Sequence, residues 1–273
     1  MINIREYFSE RLRSRAFVAV IITYIILLLS SAVYWAIDGG LRNLLMSLGF
    51  ILFAPMIMLL EWLIGFRCGA VFLASVLSIS LGSILGSCFD VYNYIPFFDT
   101  LLHGMSGVLF AAFGYTLAER MFGAENSTSG KIGKISFAIC FSLAIAVVWE
   151  LFEYACTVFF GFDMMEDSII TDINSYLLAG SHNESVILED IAETVIVYGN
   201  GQTYVINGYL DIGLIDTLTD MIICTVGSVL FAIIFDLSDK FFPSLNRSMI
   251  PRLKASSATD GAVELDEDLT RSF

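Results

Sequence analysis

Six stretches of this chain are apolar for long enough to cross a bilayer, and that recurrence limits what it can fold into more than any other feature. The runs are 16–37, 44–64, 70–88, 97–121, 135–160 and 212–237. As helices rising about 1.5 Å per residue, they match a hydrocarbon core about 30 Å thick. An unpaired backbone N–H or C=O is costly in lipid, so apolar segments of this length cross as helices. With 57% hydrophobic and 15% charged residues, the chain reads as an all-α polytopic membrane protein with six transmembrane helices. The first run is too long for the core of a secretory signal and leads into further spans, so it reads as a retained anchor. The third, rich in Gly and Ser, suits a tilted or closely packed helix.

Orientation follows from the cationic residues, which collect on cytoplasmic flanks. Arg5, Arg11, Arg13 and Arg15 precede the first span, and Arg67 separates the second from the third. Arg120, Lys131 and Lys134 lie between the fourth and fifth, and Lys240, Arg247, Arg252 and Lys254 follow the sixth. Arg42 alone sits on the other side. The expectation is a multi-pass protein of the plasma or inner membrane with both termini cytoplasmic (N-in/C-in). The segment 161–211, which has no Lys or Arg, then faces outward.

That outer loop and an acidic tail supply much of the net charge of −14, which argues against nucleic acid and leaves membrane lipids as the expected partners. The domain reading is a six-helix membrane domain, 1–242, carrying the outer loop between helices five and six, then a mobile cytoplasmic tail, 243–273. IREYFSERLRSR suits a short surface helix ahead of the first span. In the loop, the β-branched and aromatic runs 194–198 and 203–206 flank Gly199, Asn200 and Gly201, the pattern of a β-hairpin, either a lid or a compact connector. Residues 168–178 read as a short amphipathic helix at the interface. The five cysteines lie within or beside spans without a CxxC pair and read as small core residues. No nucleotide or flavin motif is present.

Three pairs of ionisable residues interrupt the late spans at helical spacing: Asp99 with His103, Glu150 with Glu153, and Asp216 with Asp220. Separations of three or four place each pair on one helix face. Counted from the outer ends of their spans, the six residues lie roughly 3 to 15 Å deep, all in one half of the membrane. This agreement in depth predicts one shared polar site beneath the outer loop. A charge at a span centre costs about 2.5 to 3.5 kcal/mol, whereas each large aliphatic residue returns about 0.3 to 0.6 kcal/mol. The acids are therefore expected to be protonated, paired, hydrated or bound to a cation.

Simpler roles exist for single members. Asp99 and Asp216 suit helix starts, Glu153 lies near enough to the interface for solvation, and His103 suits a hydrogen-bonded core histidine. Glu61, near the cytoplasmic end of the second span, is expected to pair with a base such as Arg67. Asp90 and His182 are candidates at the site's border. Glu150, Asp220 and His103 together resist such readings. Carboxylates with one imidazole suit Mg²⁺, Mn²⁺, Fe²⁺ or Zn²⁺, so His103, Glu150 and Asp220 are candidate ligands. Glu153 or Asp99 is then the candidate general base, and Asp216 an orienting residue.

The motifs FDTLLHGMSG, AVVWELFEY and GLIDTLTDMIICTVGS resemble, in order, those of the YjdF-like family of small bacterial inner-membrane proteins. More distantly the pattern is similar to VanZ-like membrane proteins, which place an Asp and His four apart, then a Glu, then an Asp with a downstream Gly. Asp99, His103, Glu150, Asp220 and Gly227 correspond. Glu153 and Cys224 depart from the VanZ-like pattern, which has Gln and Asn there. The resemblance implies a membrane fold and a site, with a hint of cell-envelope chemistry, and names no reaction.

Three functions fit these observations. One is an enzyme using a divalent metal or an acid/base pair on lipid headgroups or lipid-linked envelope precursors at the outer face. Another is a transport protein binding protons or cations. The third is a non-catalytic module fastened by a structural polar network.

Overall fold

The computed structural model describes residues 3–123, 127–241 and 251–253. Among these described residues six helical segments are long and apolar enough to cross a membrane, Arg15–Asp38, Leu41–Ile64, Ala70–Cys88, Phe98–Phe122, Thr128–Phe160 and Leu214–Ser238. Their outward faces carry aliphatic side chains such as Ile22, Ile26, Val33, Val148, Leu151, Ile222 and Ile233, all well exposed. Apolar residues on the outside are what a hydrocarbon solvent requires.

In chain order, α1 (Ile4–Arg13) lies ahead of α2 (Arg15–Asp38), and the second span is divided into α3 (Leu41–Phe50) and α4 (Phe53–Ile64). The division has a chemical cause in Pro55, which has no N–H to give the Ile51 carbonyl and whose ring crowds that carbonyl. Ile51 and Leu52 accordingly form turn-type bonds to Leu48 and Gly49 at 3.3 and 3.1 Å. A two-residue strand β1 (Phe66–Arg67) leads to α5 (Ala70–Cys88), a single turn α6 (Val91–Tyr94) and α7 (Phe98–Phe122). Then α8 runs from Thr128 to Phe160. It starts earlier than the hydropathy suggests because Ser127 caps it, its hydroxyl accepting the Gly130 N–H at 3.0 Å.

The loop between the last two spans contains β2 (Ser168–Ile170), β3 (Ile173–Ser175), α9 (Tyr176–Ala179), β4 (Val186–Leu188), β5 (Thr194–Tyr198), β6 (Gln202–Ile206) and β7 (Tyr209–Asp211). The expected hairpin is there: β5 pairs with β6 from Thr194↔Ile206 to Tyr198↔Gln202. Gly199 and Gly201 take left-handed φ of 55° and 83° in its turn, which a Cβ would oppose. The amphipathic helix expected over 168–178 is replaced by two strands, and only Tyr176–Ala179 is helical. Ile169 and Ile170 favour extended backbone, and they find a partner in Tyr209–Leu210 at the far end of the loop. The last span, α10 (Leu214–Phe241), follows, and β8 (Arg252–Leu253) pairs antiparallel with β1. Of the tail, 243–273, only 251–253 fall among the described residues. Pro251 is buried, and its carbonyl accepts the Thr116 hydroxyl at 3.1 Å.

The last three spans form the densest part of the bundle, α7 packing on both α8 and α10, while α5 joins them to α2 and α3. Small residues set how closely α7 and α10 approach. A Cβ at Gly107 would strike the Cys224 carbonyl, and one at Gly227 would strike that of Gly104. Cys224 and Ser142 are buried in this seam, the Ser142 hydroxyl donating to the Gly107 carbonyl at 3.0 Å.

At the end of the bundle away from the loop, Glu61 is fully buried and fully partnered. It accepts from the Tyr7 hydroxyl at 2.6 Å, the Cys68 N–H at 2.6 Å and both Nε and a terminal nitrogen of Arg11, the Nε at 2.8 Å. Its ion-pair partner is therefore Arg11 rather than Arg67. Arg67 pairs instead with Glu10, Nε to Oε1 at 2.9 Å, and lies over the Tyr7 ring. Helix α1, read from sequence as a surface element, is clamped to the bundle by these contacts.

Candidate functional site

Each late span delivers one polar pair to the loop end of the bundle. Helical spacing puts Asp99 and His103 on one face of α7, Glu150 and Glu153 on one face of α8, and Asp216 and Asp220 on one face of α10. The three faces converge. His103 Nε2 lies 3.6 Å from Asp99 Oδ1 and 3.4 Å from Asp220 Oδ2. One potential ligand atom from each of Asp99, His103 and Asp220 falls within 4.8 Å of the others, and the same holds for Glu150, Glu153 and Asp220. Asp220 thus belongs to two triads of donors. Donors about 2.0 to 2.2 Å from one ion stand within about 4.4 Å of each other, so small side-chain rotations would close either triad on a cation.

The hydrogen bonding is lopsided. Glu153 accepts the Trp149 indole N–H at 2.8 Å on one oxygen, while its other oxygen has no partner. Neither oxygen of Glu150 has one; Thr217 stands beside it without reaching hydrogen-bond geometry. Yet Glu150 is only 5% exposed, Glu153 7% and Asp220 3%. A buried carboxylate without partners loses its hydration for nothing in return.

The simpler roles can be set beside these placements. Asp99 sits inside the first turn of α7, where no side chain caps the helix. Asp211, not Asp216, meets an N–H in the first turn of α10, accepting from Ile215 at 2.8 Å. Asp216 faces the loop and accepts the Glu166 N–H at 3.1 Å. Glu153 is buried rather than solvated, and His103 faces carboxylates rather than a core carbonyl. Asp90 borders the site, whereas His182 stays in the loop beside Tyr176, ring centroids 5.8 Å apart.

Above the triads opens a cavity of about 900 Å³, bordered by Asp99, Glu153, Asp216 and Asp220 together with residues that sequence reasoning did not bring to the site. Arg42 is one; its isolation as the lone cation of its side was the available signal. Tyr92 and Glu166 are others, and nothing in their local sequence marks them. Loss of hydration and the negative charge of Asp99 push the Tyr92 phenol above its ordinary range, keeping it a proton donor. Loss of hydration, with Asp99 and Asp163 nearby, likewise raises the Glu166 carboxyl. Below the site the seam between α7 and α10 is shut, with the backbone of Gly107 against Cys224 and that of Gly227 against Gly104.

Fold and site together define an integral membrane protein of six candidate spans with a buried acid and imidazole cluster at one end. The chain belongs to the DUF2238 family of predicted membrane proteins, which matches residues 16–240 and so includes every span and all six site residues. No curated protein and no solved structure matches the chain.

Proposed function

We propose that the protein binds a divalent metal ion in the acid and imidazole cluster and uses it for hydrolysis or group transfer on lipid headgroups at the outer leaflet. The observation that carries this reading is Glu150, whose two buried oxygens lack any hydrogen-bond partner beside Asp220. His103 and Glu150, one from each triad, would hold the ion together with Asp220, which the two triads share, and the ion when bound would supply Lewis-acid polarisation of a substrate oxygen. Glu153 is fixed by Trp149 through one oxygen and keeps the other free to accept a proton from an attacking water or hydroxyl. Asp99 orients His103, and Asp216 ties the loop to α10. The motif likeness to YjdF-like and VanZ-like membrane proteins accords with an envelope substrate. The shut seam between α7 and α10 weighs against a transport path.

Metal analysis of the detergent-purified protein tests the reading. After reconstitution with Mg²⁺, Mn²⁺, Fe²⁺ or Zn²⁺, near-stoichiometric ion is expected in the wild type and little in folded His103→Ala, Glu150→Gln or Asp220→Asn. An ion content no higher in the wild type than in these variants would overturn it.

A further inference from the structure

The cavity is not uniformly acidic. Among the described residues at the loop end, Arg42 is the only Lys or Arg, and it borders the same cavity as Asp220 and Glu153. Its guanidinium lies 5.0 Å from the centre of the Phe162 ring, which steadies the group without using its hydrogen-bonding edge. It takes part in none of the ion pairs among the described residues, although several acids border the cavity with it. A cation that stays unpaired across a cavity from carboxylates separates two charges. A bound cation would turn the acidic side positive, and both sides would then favour one anion.

The walls between them have a second character. Met46, Phe50 and Phe53 from the broken second span face the cavity on one side, and Trp149 and Phe152 of α8 on the other. Phe152 is half exposed on the outward face of the bundle, and the second span packs on α2 and α5 rather than extensively on α8. The cavity therefore borders a lateral gap lined with apolar side chains. A soluble ion has no use for such a wall, whereas an alkyl chain gains by burial against it or by continuing into lipid.

We propose that the ligand is an amphiphile with a phosphate headgroup, its phosphate held between Arg42 and the cation of the cluster and its chain leaving between the second and fifth spans. Planar, permanently charged guanidinium is suited to two-point bonding of phosphate oxygens. Divalent cations commonly meet carboxylates on one side and phosphate on the other. The inference rests on the metal reading above, since without the ion the carboxylates would repel the phosphate. Glu150, buried and unpartnered, is the observation on which that metal reading stands.

The test uses the full chain in a neutral maltoside detergent, loaded with Mn²⁺. Binding of dihexanoyl phosphatidic acid, dihexanoyl glycerol and inorganic phosphate is followed by tryptophan fluorescence, and Mn²⁺ content is measured on the same samples. The phosphatidic acid is expected to bind the wild type only with Mn²⁺ present, and the glycerol lipid much more weakly. Arg42→Gln should weaken the phosphatidic acid about ten-fold or more while leaving Mn²⁺ content unchanged, and Arg42→Lys should restore only part of the loss. Unchanged binding in Arg42→Gln at normal Mn²⁺ content would overturn the inference and leave the metal site standing. Inorganic phosphate binding as tightly as the lipid would overturn the amphiphile in favour of a soluble anion. Absence of Mn²⁺ from the wild type, and equally of Mg²⁺, Fe²⁺ and Zn²⁺ after reconstitution with each, would overturn both readings.

Discussion

Two buried polar clusters stand at opposite ends of this bundle, and they are built on opposite rules. Around Glu61 every acceptor is met: a guanidinium, a phenol and a backbone N–H converge on one carboxylate. Around Asp220 three other carboxylates gather with a single imidazole, and three of their oxygens have no partner at all. The first arrangement is complete within the protein and fastens α1 to α4. The second is incomplete, and the proposed ion is what would offset its cost. Burial alone does not distinguish a fastener from a binding site; the balance of donors and acceptors does.

The contrast can be broken most severely at the complete cluster. Arg11→Ala should destabilise the protein by about 3–5 kcal/mol, because Glu61 is left charged and buried, and a thermal melt in detergent would register it. At the incomplete cluster the same measurement should move the other way. Mn²⁺ at a hundred times its dissociation constant should stabilise the wild type by about 2.7 kcal/mol. Glu150→Gln should lose that gain, while its ion-free form is about 1 kcal/mol more stable than the ion-free wild type and melts correspondingly higher. A lower melting point for ion-free Glu150→Gln would mean that this carboxylate is structural after all.

Packing beneath the site supplies the next step down. Gly107→Ala should cost about 1–3 kcal/mol by forcing α7 from α10, with loss of bound Mn²⁺ as His103 and Asp220 separate. Smallest is the effect of pH. The raised Glu166 carboxyl holds its proton more tightly in the folded protein, so its stabilising contribution is present at low pH and falls as pH rises through the folded value. A cation reverses this slope by favouring the ionised form, and apparent Mn²⁺ affinity should therefore rise over the same interval. Titrations of Glu166→Gln should show a shallower rise.

What could be read from the chain, and what could not, divides by range. The spans follow from hydropathy, a property of contiguous residues, and each polar pair follows from the period of one helix. Their agreement in depth was enough to bring three helices to one site. Pairings across long separations were not legible: Glu61 has a nearby base in Arg67, but its partner is Arg11, fifty positions earlier. The pairing of β2 with β7, which displaces the expected helix over 168–178, joins the two ends of a long loop. Pro55 did carry a readable signal, and the divided second span is its direct result. Counting spans puts Arg42 at the loop end as the exception to the charge pattern, but only the third dimension puts it on the cavity that Asp220 borders.

The strand pair that closes the neck of the loop makes that segment separable. Ser168 stands opposite Asp211, and Ile170 opposite Tyr209, so residues 171–208 leave and rejoin the chain at adjacent points about 5 Å apart. A segment attached in this way can be exchanged, shortened or lost without altering the path of the helices, as a module carried by the fold rather than a part of its frame.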